Sequence, residues 1–161
     1  MEKQAKDVVE FYDTHPINER QILEKVVADG FDLENLTEDI LQNYDQDHFG
    51  GVAANDALVA LAGIGASDHV ADVCCGMGGP SRYFAQNRGC RVTGIDLTES
   101  RVESARRLTR MTGLQDRVTL VVGNALAMPF EDGSFDVVVS QEAFCHVPMK
   151  DRLIAECVRI A

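Results

Sequence analysis

The sequence predicts an α/β fold: a parallel sheet with helices on both faces, preceded by N-terminal helices. Three observations predict it. From residue 69 onward, short apolar β-rich runs alternate with helical stretches, the pattern of strand-helix-strand units. The first run leads into a glycine-rich turn, Cys74-Cys75-Gly76-Met77-Gly78-Gly79-Pro80. Charge also divides the chain: residues 1–50 carry 13 acidic and 4 basic side chains, net −9, whereas residues 51–161 carry 13 and 11, net −2. The division predicts a helical front segment over 1–50 and a sheet-bearing core over 51–161.

The elements follow in order. Residues 3–13 carry Val8, Val9, Phe11 and Tyr12 as the apolar part of a short amphipathic helix. His15-Pro16 interrupts it, because proline disfavours helix in the preceding residue. Residues 17–28 resume the pattern with Ile22, Leu23, Val26 and Val27, and Gly30 is the stop. Residues 35–43 read as another short helix, YDQDHFGG (44–51) as a loop and 52–62 as an alanine-rich helix ending at Gly63. Strands are predicted at 70–73, 91–95, 118–122 and 135–140. The helices between them are 80–88, with Pro80 in its first turn and Gly89 beyond its end, and 98–112, capped by Thr98 and stopped by Gly113. A last helix spans 150–160.

Composition excludes several roles. A net charge of −11 opposes binding to nucleic-acid phosphates, which needs clustered cations, and opposes an anionic membrane surface. The N-terminus lacks an apolar signal stretch, and no run approaches a membrane span. The five cysteines form no CxxC pair and have no histidine at ligand spacing. They read as reduced thiols of a cytoplasmic protein, with no metal site.

Ligands of parallel sheets bind beyond the carboxyl ends of the strands, so chemistry is sought there. After the first strand, Gly76, Gly78 and Gly79 allow a tight turn and close backbone approach; a ligand-free turn is the plain alternative. Ser81 stands where a GxGxxG pattern needs its third glycine, which weakens a dinucleotide reading. Asp96 ends the second strand, twenty residues beyond Gly76, where a carboxylate can accept from both ribose hydroxyls. With Thr98 better placed as helix cap, Asp96 is expected to be free. Asn124 follows the third strand, either as an acceptor for an adenine amino group or as a turn residue. Glu142 and His146 follow the fourth. If that segment is helical they share one face, as a catalytic pair or as a structural one. Arg101, Arg106, Arg107 and Arg110, interleaved with Glu99 and Glu103, read as a solvated helix face.

At these residues the sequence resembles a known family. HVADVCCGMGGPSRYFA, VTGIDLT and GNALAMPFEDGSFDVVVSQEAF are similar to successive motifs of class I S-adenosylmethionine-dependent methyltransferases (methyltransferase type 11). The nearest type is the ubiquinone/menaquinone, sarcosine–dimethylglycine or phosphoethanolamine kind. The resemblance covers about residues 44–161 and implies a Rossmann-like fold and S-adenosylmethionine as cofactor, with S-adenosylhomocysteine as product. It implies that Asp72, Cys74, Gly76 and Gly78 line the methionine part, that Asp96 and Leu97 hold the ribose and flank the adenine, and that Asn124 and Ala125 meet the adenine edge. Gln141 would border the sulfonium, and Tyr44, His48 and Gly51 would belong to a lid formed by YDQDHFGG, for which a surface linker is the alternative. Glu142 and His146 would orient or deprotonate a small-molecule acceptor. Cys74 stands where the family usually has glycine, and Asn124 where it usually has aspartate. The family's sheet has seven strands and four are legible here, so a truncated chain with an exposed edge is expected, and with it a homodimer. The rival readings are a cofactor-binding or self-associating chain without turnover, and a nicotinamide-dependent oxidoreductase.

Overall fold

The computed structural model describes residues 2–15 and 17–161, with side chains from residue 6 onward. The front segment holds α1 (Glu2–Asp13), α2 (Glu19–Ala28) and α3 (Glu38–Leu41), and α4 (Gly51–Ala62) opens the core. The break predicted at His15-Pro16 falls between α1 and α2; Pro16 itself lies outside the described residues. One expected helix is split. Asp32 Oδ1 accepts from the Glu34 N–H at 3.0 Å and seeds a 3-10 turn over Leu33–Asn35. Leu36 and Thr37 are then extended before α3 begins, because aspartate satisfies a backbone donor outside a continuous helix.

The core alternates as expected: β1 (His69–Val73), α5 (Gly79–Arg88), β2 (Arg91–Asp96), α6 (Glu99–Met111), β3 (Val118–Val122), β4 (Val137–Val139) and α7 (Lys150–Ile160). The four strands are parallel in the order β3-β2-β1-β4. Alternate side chains enter opposite layers. Val70, Val92 and Leu120 pack with Val59, Phe84, Val102 and Ala105 on one face. Ala71, Val73 and Ile95 pack with Leu153 and Ile160 of α7 on the other. β4 is shorter than the predicted 135–140, because the Phe135 N–H donates to the Ile160 carbonyl at 3.0 Å and leaves the ladder.

A third cluster joins the front segment to the sheet. Ile22, Val26, Leu36 and Leu41 pack against Met77 and Leu108. Beside it lies a charged centre. Arg82 of α5 is wholly buried and donates to Asp45 Oδ2 at 2.5 Å, to the Met77 carbonyl at 2.8 Å, and to Ala105 O and Thr109 Oγ1 at 3.3 Å. Its Nε lies 3.3 Å from Glu38 Oε2. Glu38 is 1 % exposed, and burial, which outweighs Arg82's attraction, raises its carboxyl to about 8. One guanidinium therefore serves one carboxylate and one carboxylic acid. A second buried charge costs more than the same cation returns.

Removing the cation orphans both acids. Arg82→Ala is expected to lose about 3–5 kcal/mol of stability, read by denaturant unfolding. Glu38→Gln tests the sign of the proton uptake. A folded-state value above the unfolded one stabilises fully below about pH 4.5 and fades as pH rises to about 8. The variant, which cannot titrate, gains on the parent by up to about 1.4 kcal/mol per pH unit across that window. A pH-independent difference between the two contradicts the assignment.

Candidate functional site

A cavity of about 590 Å³ opens at the carboxyl ends of the strands, within the usual range for small-molecule sites. Its floor is built by the turn after β1 and the end of β2. Both Cys74 and Cys75 donate backbone N–H to the Ile95 carbonyl, at 2.8 and 3.1 Å. Asp96 locks the same turn: Oδ2 accepts from the Gly76 N–H and Oδ1 from the Thr98 N–H, each at 2.9 Å. The expectation that Asp96 is free is therefore corrected. Thr98 occupies the N-cap position but makes no side-chain cap bond, so the carboxylate takes that work. A carboxylate has about four acceptor sites, which leaves roughly two for a ligand's hydroxyls.

Asp72 is buried, and the Ser81 hydroxyl donates to it at 2.5 Å. Desolvation pushes it up to about 6. Cys74 has φ +64°, a conformation that favours glycine. Burial, aided by Asp96 and Asp72, drives its thiol far above the ordinary range. Gly76, Leu97, Asn124, Ala125 and Gln141 also line the cavity. Asn124 is a turn residue as well: its Oδ1 accepts from the Leu126 N–H at 2.9 Å.

Two expected residues stand elsewhere. Tyr44 does not line the cavity; its hydroxyl donates to Asp29 Oδ2 at 2.8 Å and its ring faces Phe31. The apolar face of α2 and the 3-10 turn captures it instead. Gly78 also lies off the lining. It adopts φ +74° at the start of α5 and packs against Arg82, Ala105 and Leu120. Glu142 and His146 do border the cavity, but not on one helix face. Glu142 has φ +54°, and only Phe144–His146 form a 3-10 turn. The Glu142 carboxylate accepts from the Phe49 N–H at 3.1 Å, and the His146 ring meets Tyr12 edge-on at 5.8 Å.

The roof comes from residues that the sequence reading passed over. Phe11 and Tyr12 of α1, and His15 just beyond it, line the cavity. The Arg101 guanidinium lies 5.0 Å over the Tyr12 ring and 3.4 Å from Asp47 Oδ2. The arginine face expected to be solvated is so at Arg107 and Arg110, whereas Arg101 is 5 % exposed and anchors the roof, and Arg107 also binds Glu19 of α2. No spacing rule marks an arginine that stacks on a distant tyrosine. The loop 45–49 completes the roof. The Asp45 carbonyl lies 2.6 Å from where a Cβ would stand on Gly79, so glycine is required there by close approach of the loop.

Charge gives the cavity its character. Asp45, Asp47, Asp72, Asp96 and Glu142 line it, against Arg101 and Arg152, and such a lining favours cationic ligands. Among the described residues no group of three His, Cys, Asp or Glu side chains could hold a metal ion, and no helix is long and apolar enough to cross a membrane.

Comparison with known proteins gives a consistent picture. The methyltransferase domain family matches residues 71–161. Over 103 residues the chain is 39 % identical to a sterol 24-C-methyltransferase of Eremothecium gossypii, covering 64 % of this chain and 28 % of that protein. A solved geranyl diphosphate methyltransferase in complex with SAM is 32 % identical, with a TM-score of 0.64 over 68 % of this chain and 44 % of its own. A geranyl diphosphate methyltransferase with GPP and sinefungin, 24 % identical, shares the fold over 98 % of this chain and 62 % of its own, with a TM-score of 0.75. The chain spans 24–45 % of the length of the first curated relatives it matches.

Gly79→Ala probes the roof. The added methyl must displace the Asp45 backbone, at an expected cost of about 1–3 kcal/mol. Gly65→Ala, whose new Cβ would meet only Asp68 Oδ2 at 3.7 Å, should be near neutral. Thermal denaturation of the two variants side by side checks this.

Proposed function

The chain belongs to the methyltransferase domain family, and on that premise we propose that it transfers a methyl group from S-adenosylmethionine to a small-molecule acceptor by direct displacement. The observation that carries the proposal is the acidic cavity at the strand ends, with the Asp96 carboxylate keyed to the Gly76 N–H. The residues fit the group: an acceptor with lone pairs to spare for a diol, and surplus negative charge for a sulfonium and an ammonium. When bound, the cofactor supplies an electrophilic methyl carbon.

The protein's part is to bind, align and exclude water. Asp96 receives the ribose hydroxyls, and Leu97, Asn124 and Ala125 flank the base. Asp72, Cys74, Gly76 and Gln141 border the methionine end. His146 and Glu142, at the far side of the cavity, orient the acceptor, and His146 is of the residue type suited to take its proton near neutrality. Glu142's bond to the Phe49 N–H also latches the loop 44–51. Residues 1–50 thereby serve as a lid, with Tyr12 and His48 at the cavity and Tyr44 holding the lid's outer face. The relatives act on lipophilic molecules by name, a sterol and a prenyl diphosphate. An apolar acceptor is accordingly proposed, in keeping with Val8, Phe11, Val147 and Pro148 in the lining.

The proposal extends to assembly and location. β4 stands at the sheet edge with Val137 and Val138 half-buried, and edges invite pairing. A homodimer through that edge or the front segment follows, and a light-scattering mass of one chain would contradict it. Five free thiols support a reducing, cytoplasmic setting.

Calorimetric titration with S-adenosylmethionine and S-adenosylhomocysteine tests the function. Asp96→Ala should weaken both by about 1.5–3 kcal/mol, roughly 10–150-fold. Equal binding by parent and variant would remove Asp96 from the site, and no binding by the parent would remove the function.

A further inference from the structure

We infer that His48 is a positioning residue that sets which end of the Gln141 amide faces the ligand, and that its protonation reverses that setting. The inference rests on the cofactor reading above. Both residues line the cavity. Gln141 Nε2 lies 3.2 Å from His48 Nδ1, and His48 Nε2 lies 3.2 Å from Gln46 Oε1. Gln46 Oε1 also accepts from Asn55 Nδ2 at 2.7 Å, and Asn55 is fully buried in α4.

Gln46 Nε2 donates to Asp45 Oδ1 at 2.8 Å, which leaves Gln46 Oε1 facing His48, and His48 Nδ1 lies 3.2 Å from both Gln141 Nε2 and the Phe49 carbonyl. Asn55 fixes the Gln46 oxygen as an acceptor facing His48, so His48 Nε2 carries a proton. The neutral ring then has a bare Nδ1, which accepts from the Gln141 NH2. That leaves Gln141 Oε1 buried with no partner among the described residues. A buried acceptor without a donor is costly, and a ligand that brings positive charge or an N–H removes the cost. The neutral histidine thus aims an oxygen at the place where the methionine end of the cofactor is proposed to lie.

Protonation breaks this arrangement. An imidazolium has two donors and no acceptor. Its Nδ1–H has a ready partner, the Phe49 carbonyl at 3.2 Å, and it repels the Gln141 NH2. The amide must then turn its oxygen toward His48, and its NH2 faces the cationic ligand. Histidine is the side chain whose ordinary charge change falls between pH 5 and 8.

Other groups face His48 or its loop: Asp72 at the end of β1, Asp45 and Asp47 on the same loop, and Glu142 after β4. Asp72, with a value of about 6, titrates in the same window and acts in the same direction. A pH profile of the parent alone therefore does not isolate His48.

The test is the dissociation constant of S-adenosylhomocysteine by calorimetry from pH 5 to 8, for the parent, His48→Asn and His48→Ala. Asparagine can accept from Gln141 through its side-chain oxygen without titrating. The expected result is about a tenfold weakening of the parent toward pH 5. His48→Ala should be weakened several-fold at pH 7. His48→Asn should recover most of that loss, and both variants should show a flatter profile than the parent. Profiles that superpose in parent and His48→Asn overturn the inference. A second measurement needs no ligand: nitrogen chemical shifts of His48 in the free chain should show a protonated Nε2 and a bare Nδ1 at pH 8. A ring protonated on Nδ1 there also overturns it. Absence of S-adenosylhomocysteine binding at every pH would instead refute the cofactor reading, leaving the ring shifts to decide the His48 contact.

Discussion

The site depends on a buried guanidinium. Arg82 leaves the first turn of α5, directly after the glycine turn, and reaches back to Asp45 and Glu38 of the front segment. The front segment is thereby fixed to the element that forms the cavity floor. The buried pair is not valuable for its Coulomb energy, which desolvation largely cancels. Its value is positional, because Asp45 cannot leave without stranding the Arg82 guanidinium. The Asp45 carbonyl is held against Gly79, and the loop that follows brings His48 and Phe49 over Gln141 and Glu142. Roof and floor are therefore built from one another.

Asp96 plays the matching part within the floor. It joins the end of β2 to the turn after β1 and to the start of α6 by accepting two backbone N–H groups. The same carboxylate retains acceptor capacity toward the cavity. Under the proposed function, structural and ligand roles coexist on one side chain, and a ligand would meet an acceptor whose orientation is already set. For the proposed methyl transfer this is preorganisation, since alignment rather than acid–base strength would do most of the work.

Much of the fold was legible in the sequence, for physical reasons. Strand and helix periods differ, and Val70–Val73, Arg91–Ile95 and Val118–Val122 carry buried-strand patterns bounded by glycine and polar turns. The Gly76–Asp96 spacing marked the floor, because those residues lie in adjacent strand-end loops. What failed were claims about contacts between distant segments. Arg101 and Arg82 look like ordinary helix cations until the front segment is folded onto them. Tyr44 looked like a lid residue because its loop borders the cavity, yet Asp29 and the α2 face hold its side chain. Glu142 and His146 were placed correctly at a strand end, but the helix assumed between them is not there; a left-handed Glu142 turns the chain instead.

The central claim is that the roof of the cavity is held in place before any ligand arrives. Native-state hydrogen exchange on the ligand-free chain tests it most directly. The account predicts that amides of α3 and the Phe49 N–H exchange only through the opening that also exposes α5, with protection well above that of a mobile loop. Exchange of residues 38–49 at unprotected rates, while α5 stays protected, would show that the buried Arg82 does not hold the roof.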